Sequence, residues 1–235
     1  MSLIEQGQPL LDALRPQDRV ALLALGVPRR YGAGEVILSE QATTSYVVAI
    51  LSGLAVVFVE TGRGNRVILA LRGAGELVGE QSAMDRRPRS ATVTALGRMD
   101  AVVIPGDRFR GFLAGNPAAG ALVLRQLSSR LRSADGERRS LASEKVLQRL
   151  AARLFELAHR TGHPNPDGSV TIDLALPQHD LAASVGATRE AVAKALRVLR
   201  ERGIVRTAAR RLVVMDVEPL RLLAGDGAPP GGPAV

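Results

Sequence analysis

The sequence predicts an α+β protein in three parts: an antiparallel β-barrel or jelly roll, a long helix, and a C-terminal winged helix-turn-helix. Three observations predict it. Short β-branched segments separated by glycine corners fill the first half. A run of leucines at helical spacing follows Pro117. Near the C-terminus, Gln178 to Arg200 carries the small and apolar residues that two helices crossing at a tight turn require.

The chain has 235 residues, enough for two cores. From Pro9 to Gly26, Leu10, Leu14, Leu22 and Leu25 recur at helical spacing, interrupted by Pro16, and read as two short helices. The period then shortens. Val36–Leu38, Tyr46–Leu51, Leu54–Glu60, Arg66–Leu71, Ala91–Leu96 and Asp100–Ile104 are expected strands, with turns at Gly32–Gly34, Ser52–Gly53, Gly62–Asn65 and Gly73–Gly75. A short helix is expected near Asp107–Ala114. The long one starts at Pro117, where Leu124, Leu127, Leu131, Ala134, Arg138 and Leu141 step by three and four. Such a seam joins two parallel helices and implies a homodimer. A helix lying on its own β-domain is the alternative.

Ser143 is the expected N-cap of a further helix reaching about His159, and His163–Gly168, with Pro164 and Pro166, reads as a loop. The expected domains are therefore residues 1–116 (β-domain), 117–142 (dimerisation helix), 143–223 (winged domain) and 224–235, a Gly/Pro-rich tail expected to be disordered.

Within the DNA-reading element, Leu181, Ala182 and Val185 face the second helix. Gly186 supplies the positive φ of the turn, and Val192, Ala195 and Leu196 pin the second helix to the core. Thr188 can cap that helix, which leaves Arg189, Glu190 and Lys194 exposed on its N-terminal half. Arg189 can be bidentate to guanine, Glu190 can accept from cytosine N4, and Lys194 can donate to guanine or thymine. Gln178 and Thr188 suit phosphates. A strand at Val170–Leu174, and Ile204–Arg206 with Leu212–Met215 around a basic turn at Ala209–Arg211, complete a wing. From Pro177 to Met215 eight basic residues oppose Asp180, Glu190 and Glu201, a phosphate-facing surface that predicts salt-dependent binding.

Composition narrows the rest. Lys and Arg total 31 against 23 Asp and Glu, with a pI near 11.1, which favours polyanionic partners. Only Lys145 and Lys194 are lysines. The absence of cysteine excludes disulfides, thiolate zinc, iron–sulfur clusters and cysteine nucleophiles. With no signal-like N-terminus and no spanning apolar run, a cytoplasmic protein without membrane contact is expected. Glu76 and Glu80 are the only pair resembling catalytic carboxylates, and no histidine, cysteine or metal cluster accompanies them, so no enzyme is expected.

The stretch Gly73–Val93, GAGELVGEQSAMDRRPRSATV, carries a resemblance. With the seam helix and the wing, it makes the chain similar to the cyclic-AMP receptor protein branch of the Crp–Fnr transcription regulators, from about Leu10 to Leu223. The resemblance implies that the β-domain is a double-stranded β-helix of the cyclic-nucleotide-binding type. It also implies that Gly79, Glu80, Arg89 and Ser90 cradle an allosteric cyclic nucleotide. Physical chemistry supports those roles. An arginine fork neutralises a cyclic phosphodiester, Ser90 completes its shell, and a carboxylate at Glu80 accepts from a ribose hydroxyl. An Arg89–Asp85 pair across the loop is the alternative.

Where the family touches the base from its long helix, this chain has Ala134 and Asp135. Cyclic AMP is favoured, but a carboxylate also suits guanine, and cyclic GMP, another effector or none stay open. A nucleotide-binding module without DNA activity is a more distant reading. Haem is not expected, because His159, His163 and His179 all lie beyond the β-domain. The resemblance implies a pseudo-palindromic target with TGTGA-like half-sites, and RNA polymerase as partner if the output is activation. Gly136, next to Asp135, weakens the long helix where an effector could order it.

Overall fold

The computed structural model describes residues 8–60, 66–172, 178–208 and 211–225, apart from the side chains of Arg160, Gln178 and Ala208. The expected Gly62–Asn65 turn, Leu174, Pro177, the wing tip at Ala209–Arg210 and the tail from residue 226 lie outside them. The chain divides between Arg132 and Ser133 into two compact units.

The first unit opens with α1 (Leu10–Ala13) and α2 (Pro16–Leu23), the latter begun by a proline at a position where its missing N–H costs nothing. Six strands follow: β1 (Val27–Tyr31), β2 (Val36–Leu38), β3 (Val47–Ser52), β4 (Ala55–Glu60), β5 (Arg66–Arg72) and β6 (Leu77–Val78). After them come α3 (Glu80–Asp85), β7 (Thr92–Ala95), β8 (Met99–Ile104) and α4 (Gly106–Gly115). The strands form two antiparallel four-stranded sheets, ordered β1-β8-β3-β6 and β2-β7-β4-β5. That is the jelly roll expected from the glycine-punctuated strand pattern.

Two clusters make its core. Tyr31, Ile37, Leu38, Val48, Ile50, Ala55, Val93 and Met99 pack together. Leu10, Leu11, Leu14, Leu22, Val47, Leu77, Ile104 and Phe109 form the second cluster, closed by Ala119 and Val123 of the long helix. β1 was not expected. It is an edge strand with Pro28 and two exposed arginines, so it carries no apolar alternation to betray it, and only an edge tolerates its proline.

The long helix α5 runs from Pro117 to Ser143. Leu127 packs against the first unit's core, while Leu124 and Leu131 are 69% and 63% exposed. The helix thus lies on its own β-domain along one face and leaves leucines exposed along another. Ser143 does not cap the next helix: it is the last residue of α5, and its hydroxyl donates to the Arg139 carbonyl one turn back. The next helix, α6 (Val146–Thr161), starts three residues later. Lys145 occupies its N-cap and donates its backbone N–H to Gln148 Oε1 at 2.9 Å.

In the second unit β9 (Gly162–Pro164) takes up part of the expected His163–Gly168 loop, pairing with β10 (Val170–Ile172) through His163 and Thr171. Then come α7 (Gln178–Ser184), α8 (Arg189–Glu201), β11 (Val205–Ala208), β12 (Arg211–Val214) and α9 (Glu218–Ala224). The sheet order is β11-β12-β10-β9, all antiparallel, with Val205 opposite Val214 and Thr207 opposite Leu212. Strand, helix pair and hairpin are the expected winged arrangement. α9 was not foreseen. Its Leu220 and Ala224 are buried.

Candidate functional site

In the jelly roll, Gly79, Glu80, Arg89 and Ser90 converge, as the sequence led one to expect. Gly79 has φ +82°, and a Cβ there would lie 2.5 Å from Arg89 Nη1, so only glycine fits this corner. Arg89 is 2% exposed. Its Nη1 donates to Gly79 O at 2.8 Å, Nη2 to Tyr46 O at 2.6 Å and Nε to Thr44 Oγ1 at 3.1 Å. The guanidinium also sits 4.9 Å from the Tyr46 ring centroid.

Three of its five N–H groups are thus engaged, all by neutral acceptors, and two have no acceptor among the described residues. The pairing with Asp85 does not form; Asp85 instead accepts from the Arg87 backbone N–H at 3.0 Å. Burial pushes the Arg89 guanidinium below its usual pKa, with Tyr46 and Glu80 acting in the opposite sense. A buried cation hydrogen-bonded only to neutral groups is costly, and an anion bound to it offsets that cost.

Glu80, also 2% exposed, opens α3. Its Oε1 accepts from Arg130 Nη1 on α5, and Arg130 Nη2 donates to Leu77 O at 3.0 Å. Its Oε2 is buried with no hydrogen-bond partner among the described residues. Such an oxygen is what a ligand hydroxyl would satisfy. Ser90 is exposed and donates to Gln81 Oε1 at 3.2 Å. Thr44, Tyr46, Gln81 and Arg130 were missed in the sequence. Nothing in local spacing marks Thr44, Tyr46 or Arg130, which reach the cassette from the segment before β3 and from the long helix, and Gln81, inside α3 beside Glu80, is marked only by its contact with Ser90.

Ala134 and Asp135 lie in the part of α5 belonging to the second unit, where Asp135 pairs with Arg138 at 3.4 Å on the exposed helix surface. Leu141, also on that part, is 49% exposed.

In the winged unit, Leu181, Ala182, Val185, Val192, Ala195 and Leu196 are all buried, and Gly186 has φ +57°. Thr188 Oγ1 accepts from the Ala191 backbone N–H at 3.2 Å, the expected cap of α8. Arg189, Glu190 and Lys194 are exposed, together with Ala193, Arg197 and Arg200. The backbone N–H of Glu190 and then the Thr188 hydroxyl hold the Glu190 carboxyl below its ordinary pKa. Gln178 begins α7, and its side chain lies outside the described residues.

Comparison with known proteins adds to this geometry. Residues 28–116 match the family described as the cyclic nucleotide-binding domain, and residues 148–223 the Crp-like helix-turn-helix domain. A CRP-like cAMP-activated global transcriptional regulator of Mycobacterium tuberculosis is 28% identical over 211 residues, covering 90% of this chain and 94% of the relative. The cyclic AMP receptor protein of Thermus thermophilus is 28% identical over 219 residues, covering 93% and 98%. Among solved structures, the c-di-GMP responsive global regulator CLP of Xanthomonas campestris superposes with a TM-score of 0.74 at 21% identity, over 86% of this chain and all of that one. Among the described residues no helix is long and apolar enough to cross a membrane.

Proposed function

The chain belongs to the Crp–Fnr family of DNA-binding transcription regulators, and from that membership we propose that it is a homodimeric switch set by a cyclic nucleotide, cyclic AMP by preference. One observation carries the effector reading. Among the described residues, a buried guanidinium with two N–H groups that meet no acceptor and a buried carboxylate oxygen with no partner lie in one cassette, at Arg89 and Glu80. A cyclic phosphodiester supplies the missing anion and a ribose hydroxyl the missing donor. Ser90 would turn its hydroxyl from Gln81 to the phosphate. The M. tuberculosis and T. thermophilus relatives, both named for cyclic AMP, support that choice of base.

On the DNA side, Arg189, Glu190 and Lys194 present the donors and acceptor suited to a TGTGA-like half-site, and Thr188 and Gln178 are assigned to phosphates. The exposed Leu124 and Leu131, and Leu141 beyond them, are assigned to a second copy of the chain.

Titration calorimetry with cyclic AMP, cyclic GMP and c-di-GMP tests the effector. Cyclic AMP should bind most tightly, and Glu80→Gln and Arg89→Leu should each weaken it by about ten- to a hundredfold, the loss expected for a charge-assisted hydrogen bond. Tighter binding of cyclic GMP, or equal binding by both variants, would refute the assignment.

A further inference from the structure

One buried side chain joins the end of the long helix to the helix-turn-helix. Arg149, on the first turns of α6, is 8% exposed, and its partners are all backbone carbonyls. Its Nη1 donates to Glu144 O at 2.5 Å, in the junction just after α5. Its Nε donates to Val185 O at 2.8 Å and its Nη2 to Gly186 O at 3.4 Å, the two residues that make the helix-turn-helix turn. One turn further along α6, Arg153 Nη2 donates to Ser184 O at 3.0 Å, while its Nη1 is held by Glu156 at 2.6 Å.

The turn satisfies the last carbonyls of α7 up to Ala183: Ala182 O accepts from the Val185 and Ala187 N–H groups and Ala183 O from that of Gly186. The next three carbonyls, of Ser184, Val185 and Gly186, take their donors from two guanidinium groups of α6, with the sign of charge that a helix C-terminus favours. A second contact reaches the same turn from the junction side. The Leu141 side chain lies so close to Gly186 that a Cβ there would collide with its Cδ2. The junction itself is tightened by Ser140, whose hydroxyl donates to Glu144 Oε2 at 2.6 Å. Two contacts therefore converge on Gly186 in the turn between α7 and α8: Leu141 from the last turn of α5, and Arg149 from α6, itself tied to Glu144 in the junction.

We propose that Arg149 is a positioning residue for DNA recognition, fixing the Val185–Gly186 turn to the junction at Glu144 and so setting how α8 is presented to DNA. This requires only the DNA-binding role and is independent of which effector is bound. A guanidinium is needed because its planar fork reaches three carbonyls at once. A lysine keeps the charge but has no fork.

A merely structural cap would lower the melting temperature and leave base discrimination alone, so the readout is the ratio of specific to non-specific affinity. Wild-type protein first selects its preferred duplex from a random pool. Fluorescence anisotropy then compares that duplex with a scrambled one, using the full chain, for wild type, Arg149→Lys and Leu141→Ala. Arg149→Lys should lower the specific-to-non-specific ratio at least about tenfold, a change equivalent to one lost base contact, while binding to the scrambled duplex stays within roughly threefold because phosphate neutralisation is untouched. Leu141→Ala, compared with wild type at concentrations where the two sediment alike because Leu141 is also assigned to the second copy, should lower the ratio in the same direction by less.

An unchanged ratio in folded Arg149→Lys overturns the proposal whatever the melting temperature does. If that variant does not fold, an unchanged ratio in Leu141→Ala overturns it. Failure of cyclic AMP to alter wild-type binding would count against the effector reading alone.

Discussion

Glu190 shows how much chemistry one exposed residue carries. Hydrogen bonds from its own backbone N–H and from Thr188 lower its pKa, so the carboxylate persists below its ordinary titration range and is lost only when pH falls through that lowered value. Discrimination at the base pair it reads should therefore be flat from about pH 6 to 8, whereas a histidine reader would titrate in that window. Anisotropy with matched and single-mismatch duplexes across that range checks it; a discrimination that falls towards pH 6 would assign the readout elsewhere. Glu190, Arg189, Thr188 and the Gly79–Glu80 and Arg89–Ser90 pairs were legible in sequence because each belongs to a contiguous motif whose spacing has a mechanical meaning. Arg130, Thr44, Tyr46 and Arg149 were not. Arg130 lies 50 residues from Glu80, Thr44 and Tyr46 lie 45 and 43 residues from Arg89, and Arg149 lies 36 and 37 residues from Val185 and Gly186, and only the fold brings such groups together.

Among the elements, periodicity recovered six of the eight strands of the jelly roll, the long helix and the strands of the wing, since each buries one face against a core. It failed where burial is one-sided or the element is short. β1 exposes four of its five residues, β6 is two residues long, and α3 is only six, inside the Gly73–Val93 stretch. The expected cap at Ser143 failed for a different reason. A serine late in a helix can bond back to the preceding turn and leave the helix free to continue to its end. The long helix has its own weak point in Gly136. A Cβ there would meet nothing within 4 Å, so Gly136→Ala should raise helix stability by about 1 kcal/mol without a clash. Effector-free DNA binding should rise with it, and circular dichroism melting alongside a mobility shift without nucleotide measures both. A stabilised helix with unchanged effector-free binding would separate helix order from DNA competence.

For the molecule as a whole, the two matched domains account for most of the chain, and the long helix between them carries the leucines that no described core covers. Leu124→Lys together with Leu131→Lys should convert a dimer to a monomer in sedimentation experiments. Affinity for a two-half-site duplex should fall to near that for a single half-site, since linkage of two recognition helices is lost. A variant that still sediments as a dimer would place the interface elsewhere.

The under-satisfied pair in the jelly roll, Arg89 hydrogen-bonded only to neutral acceptors and Glu80 with one orphaned oxygen among the described residues, bears on the lifetime of the protein as well as on its affinity for a ligand. A ligand that satisfies both groups binds only the folded state, and at a hundred times its Kd adds about 2.7 kcal/mol of stability by mass action. Cellular proteases sample the unfolded fraction, so nucleotide-poor cells should clear the protein faster than nucleotide-rich ones. The regulator's abundance would then follow its signal. Pulse-chase decay with and without added cyclic AMP, compared with Arg89→Leu, should show a nucleotide-dependent half-life in the wild type alone.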